Sequence, residues 1–180
     1  KALTGQHIMF QKLAYLVLGR PASGAGADDR YEIYGNLLVH NPREALVQAS
    51  GRVSIHDNIL VDVAGAAVVL ADHDRPLVAA RVYHNTIYAA GTGVDVASAG
   101  DPAAGGVAVV GNLIFAATPI AGASRARVAD NQTAADADAA AVVTAPSRTL
   151  GAMDFYPRAG QAQGAAIDPA ILADDVDARR

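Results

Sequence analysis

An asparagine returns along this chain at Asn36, Asn58, Asn85, Asn112 and Asn131, each time at the corner between two short stretches of alternating apolar residues. Three positions before the corner stand Ile33, Ile55, Val82, Val109 and Val128, and two positions after it stand Leu38, Leu60, Ile87 and Ile114. The clearest copies are Val53-Ser54-Ile55-His56-Asp57-Asn58-Ile59-Leu60 and Arg81-Val82-Tyr83-His84-Asn85-Thr86-Ile87-Tyr88. A period of two in short, β-branched runs bounded by Gly, Asn and Asp is a strand signature, whereas a helix would repeat its apolar residues every three or four positions. The corners are unevenly spaced, by 22, 27, 27 and 19 residues. A fixed core segment with loops of variable length is what successive coils of a solenoid produce.

The corner residue has a physical role. Asparagine tolerates the left-handed backbone conformation, and its amide can bond the equivalent amide one coil away, so a left-handed asparagine and a stacked amide ladder are both expected. A second strand of each coil is read at Leu46, Val68, Val94 and Ile120. The expected fold is all-β: a right-handed parallel β-helix of roughly five to seven coils with a C-terminal cap. Residues 1–30 read as one or two irregular coils with a loop, where Tyr15–Arg20 imitates Tyr31–Asn36 and His7–Phe10 supplies a strand. Residues 31–133 form the regular coils, and residues 134–180 a last coil and a capping tail that covers exposed strand edges.

Charge narrows the range of partners. A net charge of -4 gives no general attraction to nucleic acid, and no apolar run is long enough for membrane insertion as a helix. There are no cysteines, which removes disulfides and thiolate metal sites. Lys1 and Lys12 are the only lysines, so a lysine base is disfavoured. The chain starts at Lys1 without a leader and reads as a piece of a longer protein. A missing N-terminal segment, or another copy of the chain, is expected to pack against its first coil.

Alternation points two columns outward: Tyr34, His56, Tyr83, Val110, and Glu32, Ser54, Arg81, Ala108, with Arg127 one coil further. Coils stack about 4.8 Å apart, close to the advance of one sugar along a chain. Tyr34 and Tyr83 beside Arg81 therefore suit a saccharide groove, with Asp95 on the outward side of a neighbouring strand; the same residues also suit aromatic cross-strand packing. His84 and His56 are the plausible bases for abstracting a proton next to a uronate carboxylate. The Asp72-His73-Asp74-Arg75 loop offers Asp72 and Asp74 as ligands for Ca2+, or as ordinary turn residues before Pro76. A nucleophile elbow and a phosphate-cradling glycine loop are both absent.

The segments Val53-x-Ile55-x-x-Asn58-Ile59-Leu60 and Val82-x-x-Asn85-Thr86-Ile87-Tyr88 resemble the repeat of right-handed parallel β-helix proteins of the pectate-lyase-like superfamily. Asp154-Phe155-x-Pro157-x-x-Gly160 with Ala166-x-Asp168 resembles the closing stretch of many bacterial members. The resemblance implies a secreted or periplasmic bacterial protein that handles polysaccharide, lyase-like towards uronate-containing glycans. In that reading Arg81 pairs with a sugar carboxylate and calcium neutralises uronate. The Gly-His-Gly and Arg-x-Lys motifs of the family's hydrolases are absent. A non-catalytic adhesin-type binding module and a structural half of a split or oligomeric β-helix are the alternatives.

Overall fold

A computed structural model describes residues 2–4, 8–9, 29–41, 44–63, 65–73 and 75–162. The Tyr15–Arg20 imitation of a coil, Asp74, and the Ala166-x-Asp168 part of the closing stretch lie outside the described residues.

The chain winds as a parallel β-solenoid whose coils place one strand in each of three sheets. Sheet A stacks β1 (Ala2–Thr4), β4 (Leu37–Asn41), β7 (Ile59–Val63), β10 (Thr86–Tyr88), β13 (Leu113–Phe115) and β16 (Gln132–Ala134). Sheet B stacks β2 (Ile8–Met9), β5 (Val47–Ala49), β8 (Ala66–Leu70), β11 (Thr92–Val96) and β14 (Thr118–Ala121). Sheet C stacks β3 (Tyr31–Tyr34), β6 (Gly51–His56), β9 (Leu77–Tyr83), β12 (Val107–Val110) and β15 (Arg127–Ala129).

The apolar columns read from the sequence are in register. Ile33 pairs with Ile55, Ile55 with Val82, Val82 with Val109, and Val109 with Val128. Leu38, Leu60, Ile87 and Ile114 form the matching column of sheet A, which Thr133 ends in the last coil. These side chains, down to Val109 and Ile114, fill one continuous core between the three sheets. In sheet B the column runs Val47, Val68, Val94, Ile120, so Val47 takes the place expected for Leu46. Both residues are fully buried next to a sharp bend, where alternation does not distinguish them.

The asparagine ladder is continuous. Each Nδ2 donates to Oδ1 of the next coil's asparagine: Asn36 to Asn58, Asn58 to Asn85 and Asn85 to Asn112 at 3.0 Å, and Asn112 to Asn131 at 2.9 Å. The same Oδ1 atoms accept from the preceding asparagine's backbone N–H at 3.0–3.1 Å. Each Nδ2 after the first also donates back to the carbonyl of Ile33, Ile55, Val82 or Val109. The corner is stabilised because it satisfies backbone groups that the bend takes out of the sheets.

The left-handed conformation lies one residue earlier than expected. Gly35, Asp57, His84, Gly111 and Asp130 have φ between 52° and 66°, and no corner asparagine has a positive φ. The bend is made by the preceding residue, and the asparagine keeps ordinary backbone geometry so that its amide points along the stack.

The described part of the tail lies along the solenoid's side. After β16 a short helix α1 (Ala139–Val142) leads into β17 (Val143–Ala145), which pairs antiparallel with β18 (Asp154–Pro157). Ala139, Val143 and Phe155 pack on the outward face of sheet A, formed by the column Val39, Val61, Tyr88 and Phe115 with Leu113 beside it. The Tyr88 and Phe155 rings are 5.7 Å apart, and Arg148 lies 4.6 Å over the Tyr88 ring while its Nη2 reaches Asp136 Oδ2 at 2.6 Å. Arg158 Nε donates to the Ala140 and Val143 carbonyls, tying the strap's helix to its hairpin.

Candidate functional site

The outward face of sheet C brings together most of the polar and aromatic residues singled out in the sequence. Register stacks Tyr34 on His56 and His56 on Tyr83. The rings are nearly parallel: Tyr34 and His56 lie 5.1 Å apart at 3°, and His56 and Tyr83 lie 4.7 Å apart at 8°. The spacing follows the strand separation, so the backbone itself sets the stack. Beyond Tyr83 the column continues as Val110, which ends the aromatic series.

Two carboxylates clamp the central ring. His56 Nδ1 lies 2.8 Å from Asp57 Oδ2, and Nε2 lies 3.3 Å from Glu32 Oε2. The Nε2–Oε2 approach is one of proximity and not an aligned hydrogen bond. Glu32 comes this close because it pairs with Ser54, which places its carboxylate diagonally across from His56 on the same face. The left-handed turn at Asp57 turns the other carboxylate back over the imidazole. Asp57 Oδ1 also lies 3.8 Å from His84 Nδ1, and the His84 ring meets Tyr83 edge-on at 5.5 Å. Ser54 Oγ is buried under this group without a hydrogen-bond partner among the described residues.

Outward orientation does not mean exposure here. His56 is 5% exposed and Tyr83 4%, whereas Tyr34 at the head of the stack is 52% exposed. His56 is thus a buried part of the platform, and His84 is the more accessible histidine. Arg81 is buried too. Its Nη1 donates to the carbonyls of Ala80 at 3.1 Å, Gly105 at 3.3 Å and Gly106 at 2.9 Å. The loop between β11 and β12 folds back over it, with Asp101 Oδ1 capping a tight turn at Ala103 N and left-handed backbone at Gly105 and Gly106. A Cβ at Gly105 would collide with the guanidinium, so glycine there is what allows the loop to close on Arg81.

The remaining expected residues stand elsewhere. Asp95 is on β11 in sheet B, in register with Val69 and Ala121, and does not share the face of Tyr34 and Tyr83. Asp72 Oδ1 accepts from Leu77 N at 2.7 Å, which closes its loop. No group of three or more His, Cys, Asp or Glu side chains is arranged to hold a metal ion among the described residues. Asp72 is thus engaged in turn closure, and Asp74, the other residue expected to hold Ca2+, lies outside the described residues.

No protein-family model, curated protein or solved structure matches the chain. The solenoid stands on its strand pairing, and the likeness to pectate-lyase-like proteins rests on the repeat and closing-stretch residues alone.

Sequence reasoning missed Glu32 and Asp57 as the two arms of the His56 clamp. The signal was present in the columns: an acid four residues before one corner, and a histidine two residues before the next, are diagonal neighbours on one face.

Proposed function

We propose that this β-solenoid is a non-catalytic carbohydrate-binding module whose outward sheet C face holds a neutral saccharide chain on the Tyr34 ring. The observation that carries this reading is the half-exposed Tyr34 ring at the head of a coplanar, buried stack. A pyranose presents an apolar face of C–H groups that suits an aromatic plane, and its hydroxyls donate well to carboxylates. Glu32 and Asp57 stand on the same side of the fold, on either side of the stacked imidazole. Tyr34 is held flat by His56 beneath it, so little side-chain entropy is lost on binding.

The same geometry weighs against a uronate ligand. The acids near the stack repel a sugar carboxylate, and Arg81, which would have to neutralise it, already serves the Ala80 carbonyl and the two loop carbonyls of Gly105 and Gly106. This favours the binding module over a uronate lyase. A glycan ligand fits a secreted or periplasmic bacterial protein, as the resemblance implies.

The test is a binding screen with neutral oligosaccharides and oligo-uronates, run beside an ultraviolet assay for unsaturated uronide with and without calcium. The expected result is saturable binding of a neutral chain, loss of that binding in Tyr34→Ala, and no unsaturated product. Product formation that disappears in His84→Ala would replace this reading with the lyase. Neutral-chain binding that survives Tyr34→Ala would move the site off this face.

A further inference from the structure

The stacked rings fix the direction in which the platform faces. Tyr34, His56 and Tyr83 follow one another along the stack of coils, with interplanar angles of 3° and 8°. His56 covers one face of the Tyr34 ring, and β3 is the end strand of sheet C among the described residues. The free face of Tyr34 therefore looks out along the solenoid axis, over the edge of β3, and not sideways from the sheet. A pyranose stacked on that face lies with its own ring plane across the axis. This sets aside the match between coil pitch and sugar advance, because the His56 and Tyr83 rings further down the column are buried and offer no second platform.

The corner beside Tyr34 decides how the chain continues. The left-handed column there reads Gly35, Asp57, His84, Gly111 and Asp130. At Gly111 an added Cβ would come within 3.3 Å of the His84 ring, whereas at Gly35 it would meet nothing within 4 Å. Gly35 is exposed, and its N–H is bonded to Asp57 O at 3.2 Å, so this notch has a floor of fixed backbone. We infer that a saccharide chain crosses the end of the solenoid parallel to the Tyr34 ring, with one sugar on the ring and the next over Gly35, which makes Gly35 a specificity-determining residue for chains with equatorial links. An equatorial glycosidic bond leaves the pyranose close to its ring plane, so the chain stays level with the rim. An axial bond turns the chain out of that plane, into the edge of β3 or away from it. The inference rests on the binding-module reading and adds to it the run of the chain and the class of linkage.

NMR titration of the full chain with cellotetraose, mannotetraose, xylotetraose and maltotetraose, each beside its methyl monoglycoside, tests this. At least one of the three equatorially linked chains is expected to bind roughly tenfold or more tighter than its monoglycoside, while maltotetraose shows no such gain. Gly35→Asn should remove that gain and leave monoglycoside binding unchanged. Asparagine tolerates a positive φ, and a melting curve checks that the variant keeps its fold. Tyr34→Ala should lose both kinds of binding. Binding that needs Tyr34 but keeps its chain gain in Gly35→Asn overturns this inference and leaves the binding module standing. A gain with maltotetraose alone overturns it likewise. An absence of saturable binding, or binding indifferent to Tyr34→Ala, overturns the binding module itself and this inference with it.

Discussion

Replacing Asn85 by alanine tests the ladder at its buried middle rung. Its side chain is 1% exposed and makes five hydrogen bonds. Nδ2 donates to Ile55 O at 2.8 Å, Tyr83 O at 3.0 Å and Asn112 Oδ1 at 3.0 Å, and Oδ1 accepts from Asn58 N at 3.1 Å and Asn58 Nδ2 at 3.0 Å. Several of these partners keep another bond: Asn58 Nδ2 retains Ile33 O and His56 O, and Asn112 Oδ1 retains Asn85 N. The Asn58 backbone N–H keeps no other side-chain acceptor, and the Tyr83 carbonyl loses its bond at the bend. One or two buried orphaned groups at about 1–3 kcal/mol each give a loss of about 3 kcal/mol. For a chain of this size that lowers Tm by roughly 6–12 °C. Asn36→Ala is the internal comparison, because Asn36 is the first rung of the ladder and among the described residues its Nδ2 donates only to Tyr34 O and Asn58 Oδ1. Its cost should stay near about 1 kcal/mol. Thermal unfolding followed by circular dichroism separates the two. Equal Tm values for Asn85→Ala and Asn36→Ala would refute the additive view of the buried rungs.

Three further expectations follow from other parts of the fold. His84 is held at φ 54°, so His84→Gly should raise stability by about 1 kcal/mol in a melting curve, and His84→Val should lower it. Arg81→Met keeps the apolar stem but removes the bonds to Ala80, Gly105 and Gly106, so denaturant titration should show a loss of about 2 kcal/mol while saccharide affinity stays unchanged. Phe155→Ala should cost about 3 kcal/mol and act locally: hydrogen exchange should rise across 143–157 while the amides of Asn58 and Asn85 stay protected.

The solenoid was legible in the sequence because a coil fixes the phase of every residue on it. Once the corner asparagines were aligned, the inward columns and the outward Tyr34–His56–Tyr83 column followed without any knowledge of the loops. The left-handed position was misplaced by one residue because asparagine itself favours that conformation. The column just before it, Gly35, Asp57, His84, Gly111 and Asp130, carried the better signal, since two glycines and two aspartates recur there.

Exposure was harder to read than direction. Arg81 points outward, yet a loop folds over it, and only the glycine pair Gly105-Gly106 hinted that the backbone approaches a side chain closely. The strap on sheet A left a similar trace. Val39, Val61, Tyr88 and Phe115 occupy an outward column and are apolar, which requires a cover that local patterning does not name. The His56 clamp depends on a diagonal contact between coils, so it emerges only when two repeats are read side by side.

The most direct measurement is a titration of the tyrosine-labelled protein by NMR, with neutral oligosaccharides in one series and oligo-uronates in the other. Tyr34 ring resonances that shift saturably with a neutral chain, while the buried Tyr83 ring stays still and the uronate leaves both unmoved, are the predicted result. Shifts with the uronate alone, or shifts confined to residues away from the outward face of sheet C, would contradict it.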